Sequence, residues 1–157
     1  MTGAEREILS CRVAIAFWGD RWYERISKEG QPTGNFILSS NKNVVNASAR
    51  WRVVCEKGFM PSAALFTDDK AGDPYEYADS IDRAMDLLLE LQGAGFPVLI
   101  ELTDTGGANV TIFHKSSGGK LASANADTLP IAVCLAILKV EEAKPEMMAK
   151  RVAEVKK

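Results

Sequence analysis

The sequence is poor in the residues from which most catalytic and metal sites are built. It has one histidine and three cysteines in 157 residues. A structural zinc site takes four closely grouped Cys or His ligands, which this set does not supply. Cys11, Cys55 and Cys134 are far apart and lie in apolar stretches. That placement predicts buried thiols in a reducing compartment rather than disulfide staples. No glycine triplet follows a first strand and opens a helix, so the dinucleotide fingerprint is missing. The run SSGGK ending at Lys120 is not a phosphate loop: Leu121 follows the lysine, and His114 stands where the first glycine belongs. There is no GxSxG elbow. No stretch of 18 apolar residues is present, which predicts no transmembrane helix. The opening MTGAEREILSCRVAIAFW has early acidic residues and Arg12 inside its apolar run, which argues against a signal peptide. These readings predict a cytoplasmic chain with no metal, no cofactor and no membrane association.

Charge of one sign is also lacking. Lys and Arg number 19 against 21 Asp and Glu, for a net charge of −2. A dedicated nucleic-acid binder carries a basic face and a high pI, so that class is disfavoured. With 46% hydrophobic and 25% charged residues the composition is that of a folded protein, not a disordered one. A chain of this length buries roughly 70% of its unfolded surface without staples. It predicts one domain over 1–143 and a charged helical tail over 144–157.

Hydrophobic spacing supplies most of the elements. A helix is predicted from Thr2 or Gly3 to about Phe17, stopped at Gly19. The segment WGDRWYERISKEGQPTGNF then leads to a short strand at Phe36 to Leu38. Residues 43–57 read as a helix with Val44, Ala47, Trp51, Val54 and Cys55 on one side, followed by a strand at 62–66 and an acidic loop. The clearest helix is 79–92, capped by Asp79 or Ser80, with Ile81, Ala84, Met85, Leu88 and Leu91 as its buried stripe. PVLIELTD is a strand with Val98, Ile100 and Leu102 on one face. VTIFHK and KLASANA form a hairpin across SSGG. The helix 127–141 is apolar nearly all round, so it lies either between the sheet and another layer or against a second copy of the chain.

Few side chains suggest chemistry. His114 is the only near-neutral acid–base group of its type. With the acidic residues Asp68, Asp69, Asp73 and Glu76 it forms the basis of an alternative reading as a small enzyme. The default is a strand histidine and solvated loop charge, with no catalytic residue assigned. The segment that stands out holds Trp18, Trp22 and Tyr23 among Arg12, Arg21 and Arg25. Aromatics interleaved with arginines can stack on rings and grip anions, or form a protein-binding hot spot. Because large aromatics mostly pack, the default is an amphipathic helix end whose Trp residues cover the sheet. Tyr75 and Tyr77 form a second cluster before the 79–92 helix.

The stretch YEYADSIDRAMDLLLEL, the hairpin strands and the closing ASANADTLPIAVCLAILK resemble the phage ABA sandwich domain family, most closely over 75–140. The family closes on a similar Asp-Thr-Ala-Pro-x-Ala-Ile-Cys-x-Ala-x-Leu-Lys helix. Here that segment runs from Asp127 and Thr128 through Leu129, Pro130, Ala132, Val133 and Cys134 to Lys139, with Leu129 and Val133 as conservative departures. The opening helix running into AFWGDRW is also similar. Residues 34–69 are longer than the resemblance predicts and would be an inserted or repeated helix–strand unit. The resemblance implies an α/β/α sandwich and a phage or prophage origin, and brings no catalytic residues with it.

The expectation is therefore an α+β fold, an α/β/α layered sandwich with a mainly antiparallel sheet and helices on its faces. The expected function is that of a non-enzymatic phage accessory protein with an anti-defence role. It would bind a host protein or a small anionic signalling nucleotide, as a monomer or a homo-oligomer. The candidate binding residues are Trp18, Arg21, Trp22, Tyr23, Arg25, Tyr75, Tyr77 and His114.

Overall fold

The computed structural model describes residues 1–39, 50–54, 59 and 76–143. In chain order the elements are α1 (Gly3–Trp18), β1 (Arg21–Ile26), β2 (Pro32–Ser39), β3 (Arg50–Val53), α2 (Ile81–Gly93), β4 (Val98–Leu102), β5 (Ala108–Phe113), β6 (Lys120–Ala126) and α3 (Leu129–Ala143). The fold is α+β, as the sequence predicts: among the described residues there are three helices and two three-stranded antiparallel sheets. Within the expected domain the chain divides more finely into two compact units, residues 1–19 with 74–157 and residues 20–73.

The first unit holds the described helices. Thr2 opens α1 with a capping box: its hydroxyl accepts from the Glu5 amide at 3.1 Å, and Glu5 Oε2 accepts from the Thr2 amide at 2.8 Å. Gly19, at φ 74°, closes the helix in the left-handed conformation that a glycine adopts without strain. Ser80 caps α2 by accepting from the Arg83 amide at 3.3 Å. The buried face of α2 is Ala84, Leu87, Leu88 and Leu91. It is turned from the expected stripe: Leu87 replaces Ile81, which is exposed, while Met85 is half-buried.

Strands β4, β5 and β6 form an antiparallel sheet in that order, with Ile100 opposite Val110 and Val110 opposite Ala124. Ala108, Val110 and Ile112 are buried, as are Ala122 and Ala124, whose small side chains let α3 approach β5 and β6 closely. On its other sides α3 meets α1 and α2. This explains its nearly uniform apolarity: Ala132, Val133, Cys134, Ala136, Ile137 and Val140 are all buried between the sheet and a helical layer. The opposite face of the sheet carries a row of polar side chains among Leu99, Phe113 and Leu121. Ser123 Oγ lies 3.2 Å from Thr111 Oγ1 and donates to Asn109 Oδ1 at 3.1 Å, and Asn109 Nδ2 donates to Glu101 Oε1 at 3.3 Å.

The second unit holds an antiparallel sheet ordered β2-β1-β3. Two expectations are corrected here. The aromatic segment after α1 forms strand β1, not the end of a helix. Arg50–Val53, expected within a 43–57 helix, pairs with β1 as a strand. RWRV alternates polar and apolar residues, so it fits a pleated strand at least as well as a helix turn, and pairing with β1 decides between them. Val54 continues past the strand, its amide donating to the Trp22 carbonyl at 2.9 Å; residues 43–49 and 55–57, the strand at 62–66, the acidic loop at 67–74 and the tail at 144–157 lie outside the described residues. Among the described residues no helix is long and apolar enough to cross a membrane.

Candidate functional site

Strand alternation sorts the residues of β1 onto two faces. Trp22 and Glu24 share one. Trp22 stands opposite Leu38 and Glu24 opposite Phe36. The Trp22 ring meets Phe59 edge-on at 6.4 Å, and Phe36 lies 5.0 Å from the same phenyl ring. This face is a small aromatic core with a buried carboxylate beside it. Glu24 Oε1 accepts from Arg52 Nη2 at 2.6 Å and Oε2 accepts from the Gly34 amide at 3.2 Å. A buried carboxylate needs such partners. Their arrangement also ties β1 to β3 and β2 at one level, since Glu24 is opposite Arg52 in register.

Arg21, Tyr23 and Arg25 occupy the other face. Arg25 is directly opposite Trp51, and Tyr23 is opposite both Ile37 and Val53. Directly opposed residues have Cβ atoms about 4.5–5.5 Å apart, so the guanidinium stem and the indole rise side by side. Arg21 and Arg25 are exposed, and Trp51, Ile37 and Val53 are half-buried. The face therefore offers two exposed cations beside a partly open indole. Planar anions suit such a surface: the ring stacks while the guanidinium pairs with charge.

The described candidate residues divide between the two units. Trp22 and Tyr23 are only 5% and 6% exposed, so they pack and leave Arg21 and Arg25 as the accessible part of β1. Trp18 is half-buried in the first unit, where its Nε1 donates to the hydroxyl of buried Tyr77 at 3.0 Å and its ring meets Phe17 edge-on at 4.7 Å. That bond fastens the end of α1 to the segment before α2. His114 is half-buried just beyond β5, and its amide donates to the Gly119 carbonyl at 2.6 Å, closing the hairpin. Tyr75, Asp68, Asp69 and Asp73 lie outside the described residues; Glu76 is exposed. Sequence reasoning missed Trp51 and the Glu24–Arg52 pair. The available signal was the polar–apolar alternation of Arg50 to Val53.

Burial pushes the Cys134 thiol up to about 12, with a smaller contribution from Asp79. A thiol held protonated in this way is a packing group, not a nucleophile. Asp79 itself pairs with Arg6. Among the described residues no group of three or more His, Cys, Asp or Glu could hold a metal ion. Comparison of the chain with known protein families, with characterised proteins and with solved structures gave no match.

Proposed function

We propose that this chain is a non-enzymatic binding protein that captures a small planar anion of the signalling-nucleotide class and so withholds it from a host process. The observation that carries the reading is the β1–β3 face, where exposed Arg25 stands directly opposite half-buried Trp51 with exposed Arg21 on the same side. Guanidinium groups pair with phosphates in a fork geometry, and an adjacent indole supplies a stacking surface for a base. The resemblance of the closing helix to the phage ABA sandwich family supports a phage or prophage origin, with the bacterial cytoplasm as the place of action and interference with host defence as the purpose.

The test is native mass spectrometry of the full chain freshly purified from bacterial cells, followed by thermal melts with mono-, cyclic and dinucleotides. A ligand present at a hundred times its Kd stabilises the folded state by about 2.7 kcal/mol. The reading expects a shift of that order, lost in Arg25→Ala and in Trp51→Ala. Arg25 is exposed, so its variant keeps the fold. A nucleotide that binds the Arg25→Ala protein unchanged would place the site elsewhere. If no nucleotide shifts the melt and a host protein is instead retained in an Arg25-dependent manner, the same face serves a protein partner.

A further inference from the structure

The two edges of the β4–β5–β6 sheet are defended differently. At the β6 edge, Lys120 opens the strand, the pairing with β5 is broken by a register shift between Ile112 and Phe113, and Lys139 Nζ donates to the Ser123 carbonyl at 2.8 Å. Lysines, bulges and covered carbonyls are the usual devices that stop an edge from recruiting another strand. The β4 edge has none of these. Its sequence is VLIEL, with no Lys, Arg or Pro, and its five residues pair with β5 without a register shift. Among the described residues no strand pairs with its outer side. Leu99 and Leu102 are 47% and 74% exposed, although Leu102 belongs to the same apolar row as Val98 and Ile100.

The direction of each backbone group on this edge follows from two hydrogen bonds. The Phe113 amide donates to the Pro97 carbonyl and the Thr103 amide to the Gly107 carbonyl, each at 2.9 Å. Inward and outward backbone groups alternate along an antiparallel strand. Residues 97, 99, 101 and 103 therefore face β5. The N–H and C=O groups of Val98, Ile100 and Leu102 point outward, away from the sheet.

We propose that this edge pairs antiparallel with β4 of a second copy of the chain, about a two-fold axis through Ile100. Three registers keep the outward groups in phase. Centring on Ile100 matches Val98 with Leu102, Ile100 with itself and Leu102 with Val98, and each pair exchanges two backbone bonds, about six in all. Centring on Leu99 or Glu101 matches only two such pairs. Centring on Glu101 also sets the two Glu101 carboxylates face to face, which is unfavourable. The Ile100 register instead places each Glu101 opposite Leu99 of the other copy, and it completes an apolar row of Val98, Ile100 and Leu102 from both chains. The edge is thus self-complementary in backbone and in apolar surface, and sets no like charges directly opposite, as a two-fold interface requires. The product is a continuous sheet that joins the three described strands of each copy.

The register supplies its own test. In it, residue 99 is the cross-strand neighbour of Glu101 in the second copy, at a position where facing side chains lie closest. Leu99→Lys sets a cation against that carboxylate twice per dimer, and Leu99→Glu sets an anion there. Sedimentation equilibrium of the full-length protein up to the order of 100 μM, the range of small transient interfaces, reads the association. The wild type self-associates to a dimer. Leu99→Lys tightens it about 5-fold and Leu99→Glu loosens it about 5-fold, by the size of cross-strand charge pairs. Circular dichroism confirms that each variant is folded, and Leu102→Lys, at a more exposed position, provides a second weakening variant. Hydrogen exchange adds a direct readout. The Val98, Ile100 and Leu102 amides gain protection as protein concentration rises, while those of Leu99 and Glu101 are protected throughout. A wild type that stays monomeric, a dimer indifferent to these substitutions, or a dimer weakened equally by Lys and Glu at 99 overturns the proposal.

Discussion

Ser10 is fully buried in α1, and its hydroxyl accepts from the Ala78 amide at 3.0 Å. Ala78 is itself buried, in the turn that leads to Ser80 and α2. Ser10→Ala deletes one oxygen and leaves a buried N–H with no acceptor. An orphaned donor of this kind costs about 1–3 kcal/mol. Alanine is the better helix former, which returns up to about 0.5 kcal/mol. The net loss is about 0.5–3 kcal/mol, a sizeable part of the 5–15 kcal/mol that typically holds a fold together. Urea unfolding is expected to show a lower midpoint with an unchanged slope, because the surface exposed on unfolding is unaltered. The Ala78 amide is expected to exchange its hydrogen faster. The neighbouring Trp18–Tyr77 bond spans the same junction and offers a local fluorescence readout. A variant as stable as the wild type, with Ala78 exchange unchanged, would refute the assignment of this hydroxyl as the clasp between α1 and the approach to α2.

Two further outcomes are expected. At Gly107 an added Cβ would lie 2.7 Å from the Ala126 carbonyl oxygen and 3.0 Å from Thr103 Oγ1, whereas at Gly93 nothing lies within 4 Å. Thermal melts should show Gly107→Ala destabilised by about 1–3 kcal/mol and Gly93→Ala unchanged or slightly stabilised. For Cys134 the folded thiol keeps its proton up to about pH 12, while in the unfolded chain it is lost from its ordinary 9.0. Above pH 9 the unfolded state therefore binds fewer protons, and stability falls as pH rises, by about 1.4 kcal/mol per unit from this group. Denaturation of wild type and Cys134→Ala at pH 8 and pH 10.5 checks this: the wild type should lose more stability than the variant over that interval.

Periodicity made the three helices and the β4–β6 meander legible, because each has a long stretch with one period and clear punctuation. Thr2, Gly19 and Ser80 cap where their chemistry predicts. What periodicity does not encode is which residues an apolar row meets. Val98, Ile100 and Leu102 share a face as expected, yet Leu102 is largely exposed. Strand β1 was illegible for a different reason. Trp22, Tyr23 and Glu24 are buried in succession, so both faces are covered at the middle of the strand and the polar–apolar alternation that marks a half-exposed strand is absent. The binding face was half visible. Arg21 and Arg25 stood out, but Trp51 joins them only through pairing between strands well separated in the sequence. The Glu24–Arg52 pair was hidden for the same reason, since a carboxylate among arginines reads as surface charge until its burial is known.

The chain order of the first unit bears on its synthesis. α1 packs on α3, but about 110 residues lie between Trp18 and Leu129. At ribosomal speeds that interval lasts roughly 6–20 s. For most of it, α1 with its buried Leu9, Val13 and Phe17 has been made while α3, which packs on it, has not, whereas β1, β2 and β3 are complete once Val53 is added. The nascent chain thus carries α1 without its packing partner for most of its synthesis, which makes it a client for cotranslational chaperones. Truncations ending before α3 should accumulate in chaperone-bound or insoluble form.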